Sequence, residues 1–166
     1  ARHGSEARFE VGTRDDAETV RARLDPEGAL PSLSIFPVPP ERVHLDVQRH
    51  CASAMFFTEG TSKLGSAPTR LGEVLGCGIP VVANEGVGDV ARILRRYGVG
   101  VIARDASDAA MEDAVRELAA LRAEPDLPAR CRQAAEELFS LERGTAAYRA
   151  LYDEILNASA RRTAAE

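Results

Sequence analysis

Short apolar runs alternate along the chain with longer stretches in which apolar residues recur every three or four positions. The runs at 8–11 (RFEV), 32–36 (SLSIF), 53–58 (SAMFFT), 79–83 (IPVVA) and 99–103 (VGVIA) predict five strands. The fourth has no polar alternation, as expected of a strand buried on both faces. Between the runs, 15–24, 41–50, 69–77 and 89–97 predict helices. Asp15 and Asp16 suit the start of the first, and Val43 and Val47 lie one turn apart in the second. Beyond 103 the pattern is helical only. Met111, Val115 and Leu118 follow the candidate cap Ser107, Pro125 and Pro128 punctuate, and 129–138 predicts a further helix. Ser140 is a candidate cap for a last helix, whose Leu141, Tyr148, Leu151, Tyr152 and Ile155 form an expected packing stripe. The small, polar tail 158–166 is expected to fray.

Strands alternating with helices imply an α/β protein, a Rossmann-like doubly wound parallel sheet followed by C-terminal helices. Such sheets bind ligands at the carboxyl ends of their strands, so the loops that follow strands are the candidate sites. A G-x-G-x-x-G dinucleotide fingerprint, a phosphate-binding Walker loop and a G-x-S-x-G nucleophile elbow are all missing from the sequence.

With 166 residues, the chain fits one domain by size, assigned here to 1–157. Its net charge of −5 offers no electrostatic footprint for nucleic acid. No apolar run is long enough for a membrane span, and membrane contact is not expected. Cys51, Cys77 and Cys131 make an odd set without C-x-x-C spacing, which points to reduced core thiols in a cytoplasmic protein. His3, His44 and His50 share no metal-ligand spacing with them, so no metal is expected. Lys63 is the sole lysine, and it falls in the loop after the third strand.

That loop, 59–68, feeds the helix predicted at 69–77. Pro68 suits a first helical turn and Ser66 a cap. The opening N–H groups of a helix have no internal partners and sit at its positive dipole end. Gly65, Ser66 and Ala67 are small enough to admit an anion to the backbone, and Lys63 adds a full positive charge, so the segment suits a phosphate or diphosphate. Glu73 lies one turn past Thr69 on the same face, where a carboxylate behind a diphosphate can accept hydrogen bonds from the two vicinal hydroxyls of a ribose. Gly72 and Gly76 flank it, each costing about 1 kcal/mol of helix stability, and suggest close approach of a ligand or another backbone.

The run PTRLGEVLGCGIPVVAN at 68–84, continued by EGVGDV, resembles the donor-binding half of the group 1 glycosyltransferases, retaining enzymes of the GT-B fold. The family's usual pattern carries two glutamates eight positions apart before a G-x-P-V-V ending. Glu73 matches the second glutamate, and Gly78, Pro80, Val81 and Val82 match the ending. The segment 139–156, FSLERGTAAYRALYDEIL, is similar to the family's terminal helix. The resemblance implies one half of a GT-B fold that binds a nucleotide-diphosphate-sugar as substrate, with no cofactor. It implies that Glu73 holds the ribose and that the backbone around 66–69 holds the diphosphate. It also places the base near the loop 37–43, giving Pro39 and Val43 as a candidate base pocket; a plain structural turn before a helix is the other reading of that loop.

This sequence departs from the pattern in one position that matters. Gly65 stands where relatives carry the first, sugar-contacting glutamate, and S-A-P-T replaces the Gly-rich stretch. Glu59, Lys63 or Thr69 is then left to contact the sugar, or the sugar differs. Some branches of the family carry an S-P-T-[KR]-x-G-E version that this chain matches closely. The family's phosphate-neutralising basic residues and its N-terminal acceptor domain have no counterpart here, and the start at Ala1 rather than Met suggests excision from a longer chain. The fragment is expected to bind donor and to be inactive alone. Two other readings stay open: a degenerate nucleotide-binding or protein-interaction module, and a nucleotide-sugar epimerase-like domain.

Overall fold

The computed structural model describes residues 7–58 and 60–163, with side chains to 157, so the tail expected at 158–166 falls outside the described side chains. Contacts divide the chain into two compact units, 1–46 and 47–166, with the boundary inside a short helix.

In the first unit, β1 (Phe9–Gly12) pairs in parallel with β2 (Leu33–Phe36), joined by α1 (Ala17–Leu24). Of the two candidate capping aspartates, Asp16 does the work. Its carboxylate accepts from the Thr19 N–H and hydroxyl, both at 2.8 Å, which holds its pKa below the usual carboxylate value. The Arg21 guanidinium donates to the Leu33 carbonyl at 2.7 Å and ties helix to strand. Leu33 is the one buried apolar residue among those described in this unit. The helix predicted at 41–50 is a 3-10 turn, Pro40–Arg42, running into the short α2 (Val43–Val47).

In the second unit, β3 (Ser53–Met55), β4 (Val81–Asn84) and β5 (Gly100–Ala103) form a parallel sheet in that order. Helices cover both of its faces. Val81, Ala83 and Val99 join a large core with Leu71, Val74 and Leu75 of α4 (Thr69–Gly76), Ile93 and Leu94 of α5 (Val90–Tyr97), and Cys131 and Ala134 of α7 (Leu127–Phe139). On the other face, Val82, Val101 and Ala103 meet Met111, Ala114 and Leu118 of α6 (Asp108–Arg122). The helices on both faces of a parallel sheet are the doubly wound arrangement that the alternating pattern predicts.

Several ends are fixed by the expected devices. The Ala110 N–H donates to Ser107 Oγ at 3.3 Å, and Gly98, at φ +60°, closes α5. The helix predicted from 129 begins two residues earlier, because Pro128 sits in the first turn, where no N–H is required. Two expectations are corrected. The stripe on α8 (Leu141–Thr163) does not pack: Leu141 is 80% exposed and Tyr148 66%, and the main contact of α8 is with α7. And only Cys131 is a core thiol, Cys51 being exposed and Cys77 half-buried. Burial pushes the Cys131 thiol up to about 11, so little of it is thiolate at pH 8. Native protein treated with iodoacetamide at that pH is expected to label at Cys51 and to leave Cys131 unmodified until urea unfolds it; peptide mapping checks this, and rapid native labelling of Cys131 would contradict the packing.

Candidate functional site

The carboxyl ends of β3 and β4 release two loops that meet. The loop after β3 runs through Phe57 and Thr58, forms a one-turn helix α3 (Thr61–Leu64), and enters α4 behind Pro68. Glu59, one of the candidates for the sugar contact, lies outside the described residues. The loop after β4 is the turn 85–89, which enters α5.

Asn84, the last residue of β4, joins the two. Its Nδ2 donates to the Phe57 carbonyl at 2.9 Å and its Oδ1 accepts from the Phe57 N–H at 2.9 Å, while Nδ2 also donates to the Glu85 carbonyl at 3.2 Å. A second tie lies further along, where the Gly88 N–H donates to the Lys63 carbonyl at 2.9 Å. Gly88 stands at φ +43°, and a Cβ there would lie 1.9 Å from the Ser66 carbonyl oxygen, so only glycine lets the turn come this close. The sequence shows a Gly-containing turn here but nothing of what it touches, and Asn84 carries no motif.

Pro68 occupies the cap position of α4, and no side chain among the described residues caps the helix. The expected cap Ser66 instead donates its hydroxyl to the Ser62 carbonyl at 3.3 Å, one turn back along α3. The Leu71 N–H bonds to the Pro68 carbonyl at 3.0 Å, and the N–H groups of Thr69 and Arg70 have no partner among the described residues. Thr69 and Glu73 are both exposed, on the face opposite the buried Leu71, Val74 and Leu75. Gly65 is exposed, with nothing within 4 Å of the position a Cβ would take. Ala67 is exposed, while Ser66 and Pro68 are half-buried. Lys63 is half-buried and has no carboxylate partner among the described residues. Glu73 is close enough to Cys77 that its charge, after burial, raises the Cys77 thiol.

Of the two glycines beside Glu73, Gly72 answers to a neighbouring helix, while Gly76 has room for a β-carbon at ordinary contact distance. A Cβ on Gly72 would lie 2.7 Å from Cγ of Phe139 on α7, and one on Gly76 would rest 3.8 Å from the Ala135 methyl. Helix α4 crosses α7 at short range, and the small residues permit it. A cavity of about 240 Å³ opens beside this crossing, lined by Ala67, Pro68, Leu71, Ile93, Arg96 and Phe139 among others. Neither Glu73 nor Lys63 lines it, so the structure divides the predicted residues between this cavity and the exposed face of α4. Pro39 and Val43 belong to the first unit, Pro39 capping the 3-10 turn and Val43 opening α2.

A parallel sheet wound on both faces, with its loops gathered at the carboxyl edge, gives the chain the Rossmann-like fold of one half of a GT-B structure. A solved structure with the same arrangement is sucrose-phosphate synthase from Thermosynechococcus elongatus, with 19% sequence identity and a TM-score of 0.64. The match takes in 89% of this chain and 37% of that one, so the chain spans well under half the length of the structure it matches. No protein-family model and no curated protein sequence matches the chain.

Proposed function

We propose that this chain is the donor-binding part of a glycosyltransferase, which moves a sugar from a nucleotide-diphosphate-sugar to an acceptor with retention. The observation that supports the reading most is the uncapped start of α4, at the carboxyl side of the sheet, with the exposed Glu73 one turn behind it.

In this reading the N–H groups of Thr69 and Arg70 and the Lys63 ammonium receive the diphosphate, whose negative charge suits the helix end. Glu73 accepts hydrogen bonds from the two ribose hydroxyls and so fixes the donor's orientation. Transfer breaks the bond between the anomeric carbon and the diphosphate oxygen and forms one to the acceptor hydroxyl on the same face. The proton passes to the departing diphosphate. No side chain acts as nucleophile, and the site contributes by stabilising charge as it develops on the leaving group. The acceptor side belongs to a further domain of the parent chain, and the setting is cytoplasmic.

The test is thermal unfolding with UDP, GDP and ADP in turn. A ligand at about 100 times its Kd stabilises by about 2.7 kcal/mol, which for a chain of this size is a rise in Tm of roughly 5–10 °C. One of the three is expected to produce that rise. If none moves Tm, the donor-site reading fails.

A further inference from the structure

The geometry points to Asn84 as a positioning residue of the donor site, acting through the loop that carries the anion-binding end of α4. This rests on the functional reading above and adds to it a residue that touches no substrate.

Strand β3 stops at Met55, whose partner on β4 is Ala83. Past that point β4 turns away into 85–89, and the backbone of Phe57 loses the strand that would have paired with it. The Asn84 side chain replaces that strand, giving one acceptor to the Phe57 N–H and one donor to its carbonyl. It acts as an extra rung of the sheet. Because a carbonyl oxygen cannot donate and an N–H cannot accept, these two partners also fix which end of the amide is which.

Among the described residues, little else holds the chain between Phe57 and α4. Thr58, Gly60, Thr61, Ser62, Leu64 and Gly65 are all exposed. The next tie to another segment among the described residues is the Gly88 N–H on the Lys63 carbonyl. Both ties spring from the one segment 84–88, so that segment spans the loop and sets the place where Lys63 and the start of α4 stand. Asn84 is fully engaged in this. Both of its N–H groups are donated, to Phe57 and to Glu85, and only a lone pair on Oδ1 remains. A diphosphate offers acceptors alone, so Asn84 has nothing left to give it directly. Its effect on a bound diphosphate is transmitted by the backbone.

The experiment is calorimetric titration of wild type, Asn84→Ala and Asn84→Ser with inorganic pyrophosphate and with the nucleoside diphosphate that raises Tm, alongside amide exchange and urea unfolding. Asn84→Ala is expected to weaken both ligands by the same factor, about tenfold for two lost backbone ties. Exchange at 57–66 is expected to quicken, with the amides of β4 and β5 unchanged. Asn84→Ser keeps a hydroxyl that can serve one of the two ties and is expected to fall between; it carries the test if Asn84→Ala does not fold. Wild-type binding matched by the folded variants overturns the positioning role alone. So does a loss confined to the nucleotide, since the loop bears on the diphosphate. A wild type that binds neither ligand overturns the donor-site reading and this proposal with it.

Discussion

Gly72→Val is expected to lower the unfolding free energy by about 2–3 kcal/mol, seen as a fall in Tm of roughly 5–10 °C, without weakening nucleotide binding by the protein that remains folded. A β-carbon at Gly72 would overlap Cβ and Cγ of Phe139, at 2.8 and 2.7 Å. Those atoms lie at the root of the Phe139 side chain, so rotation of its ring does not clear them, and α7 has to move. The core it would move across includes Cys131 and Ala134, which are fully buried. Valine also loses rotamer freedom in a helix. Combining it with Phe139→Ala removes the overlap at Cγ and leaves that at Cβ. The double variant should then be more stable than the two separate losses predict, by about 1 kcal/mol, a coupling of the size seen between residues in contact. Additive losses would mean that Gly72 and Phe139 do not meet, and a nucleotide affinity that falls with Gly72→Val at full folding would restore the ligand-approach reading of this glycine.

That glycine shows where sequence reasoning reached its limit. A glycine inside a helix signals that something comes close, but a side chain from sixty-odd positions away and a ligand leave the same mark. Elements governed by local chemistry were legible. The apolar run at 79–83 covers β4 up to its last residue, and Ser107 caps α6 through a hydrogen bond three residues on. Asp16, and not its neighbour Asp15, receives the Thr19 N–H. The short α3 was not legible, because T-S-K-L is one turn long and has no periodicity to display. Ser66, the cap candidate for α4, lies two residues before the actual cap position Pro68 and donates to the Ser62 carbonyl instead. The stripe on α8 has genuine helical spacing, but periodicity reports that a face is apolar and not that anything covers it. Of the candidate site residues, Thr69 and Glu73 share the exposed face of α4. The turn that ties the loop, Asn84 with Gly88, depends on contacts between segments some 25 residues apart, and no local pattern records them.

Glu73→Ala is expected to weaken the nucleoside diphosphate about 100- to 200-fold while leaving stability within about 0.5 kcal/mol of wild type. The first figure follows from two hydrogen bonds between ribose hydroxyls and a carboxylate, each worth roughly 1.5 kcal/mol when one partner is charged and the site is partly open to water. The second follows from the exposure of Glu73, which faces away from Leu71, Val74 and Leu75 and contributes nothing to the core. Pyrophosphate has no ribose, so its affinity should not change, in contrast to Asn84→Ala, which is expected to weaken both ligands. The 2′-deoxynucleotide completes a cycle: wild type should bind it about tenfold less tightly than the ribonucleotide, and Glu73→Ala should bind the two alike. Equal discrimination between them by wild type and Glu73→Ala removes the ribose from Glu73, even if the anion site survives. A loss of pyrophosphate affinity in Glu73→Ala would instead mean that the side chain holds the helix end in place, because removing a negative charge beside an anion should by itself strengthen binding.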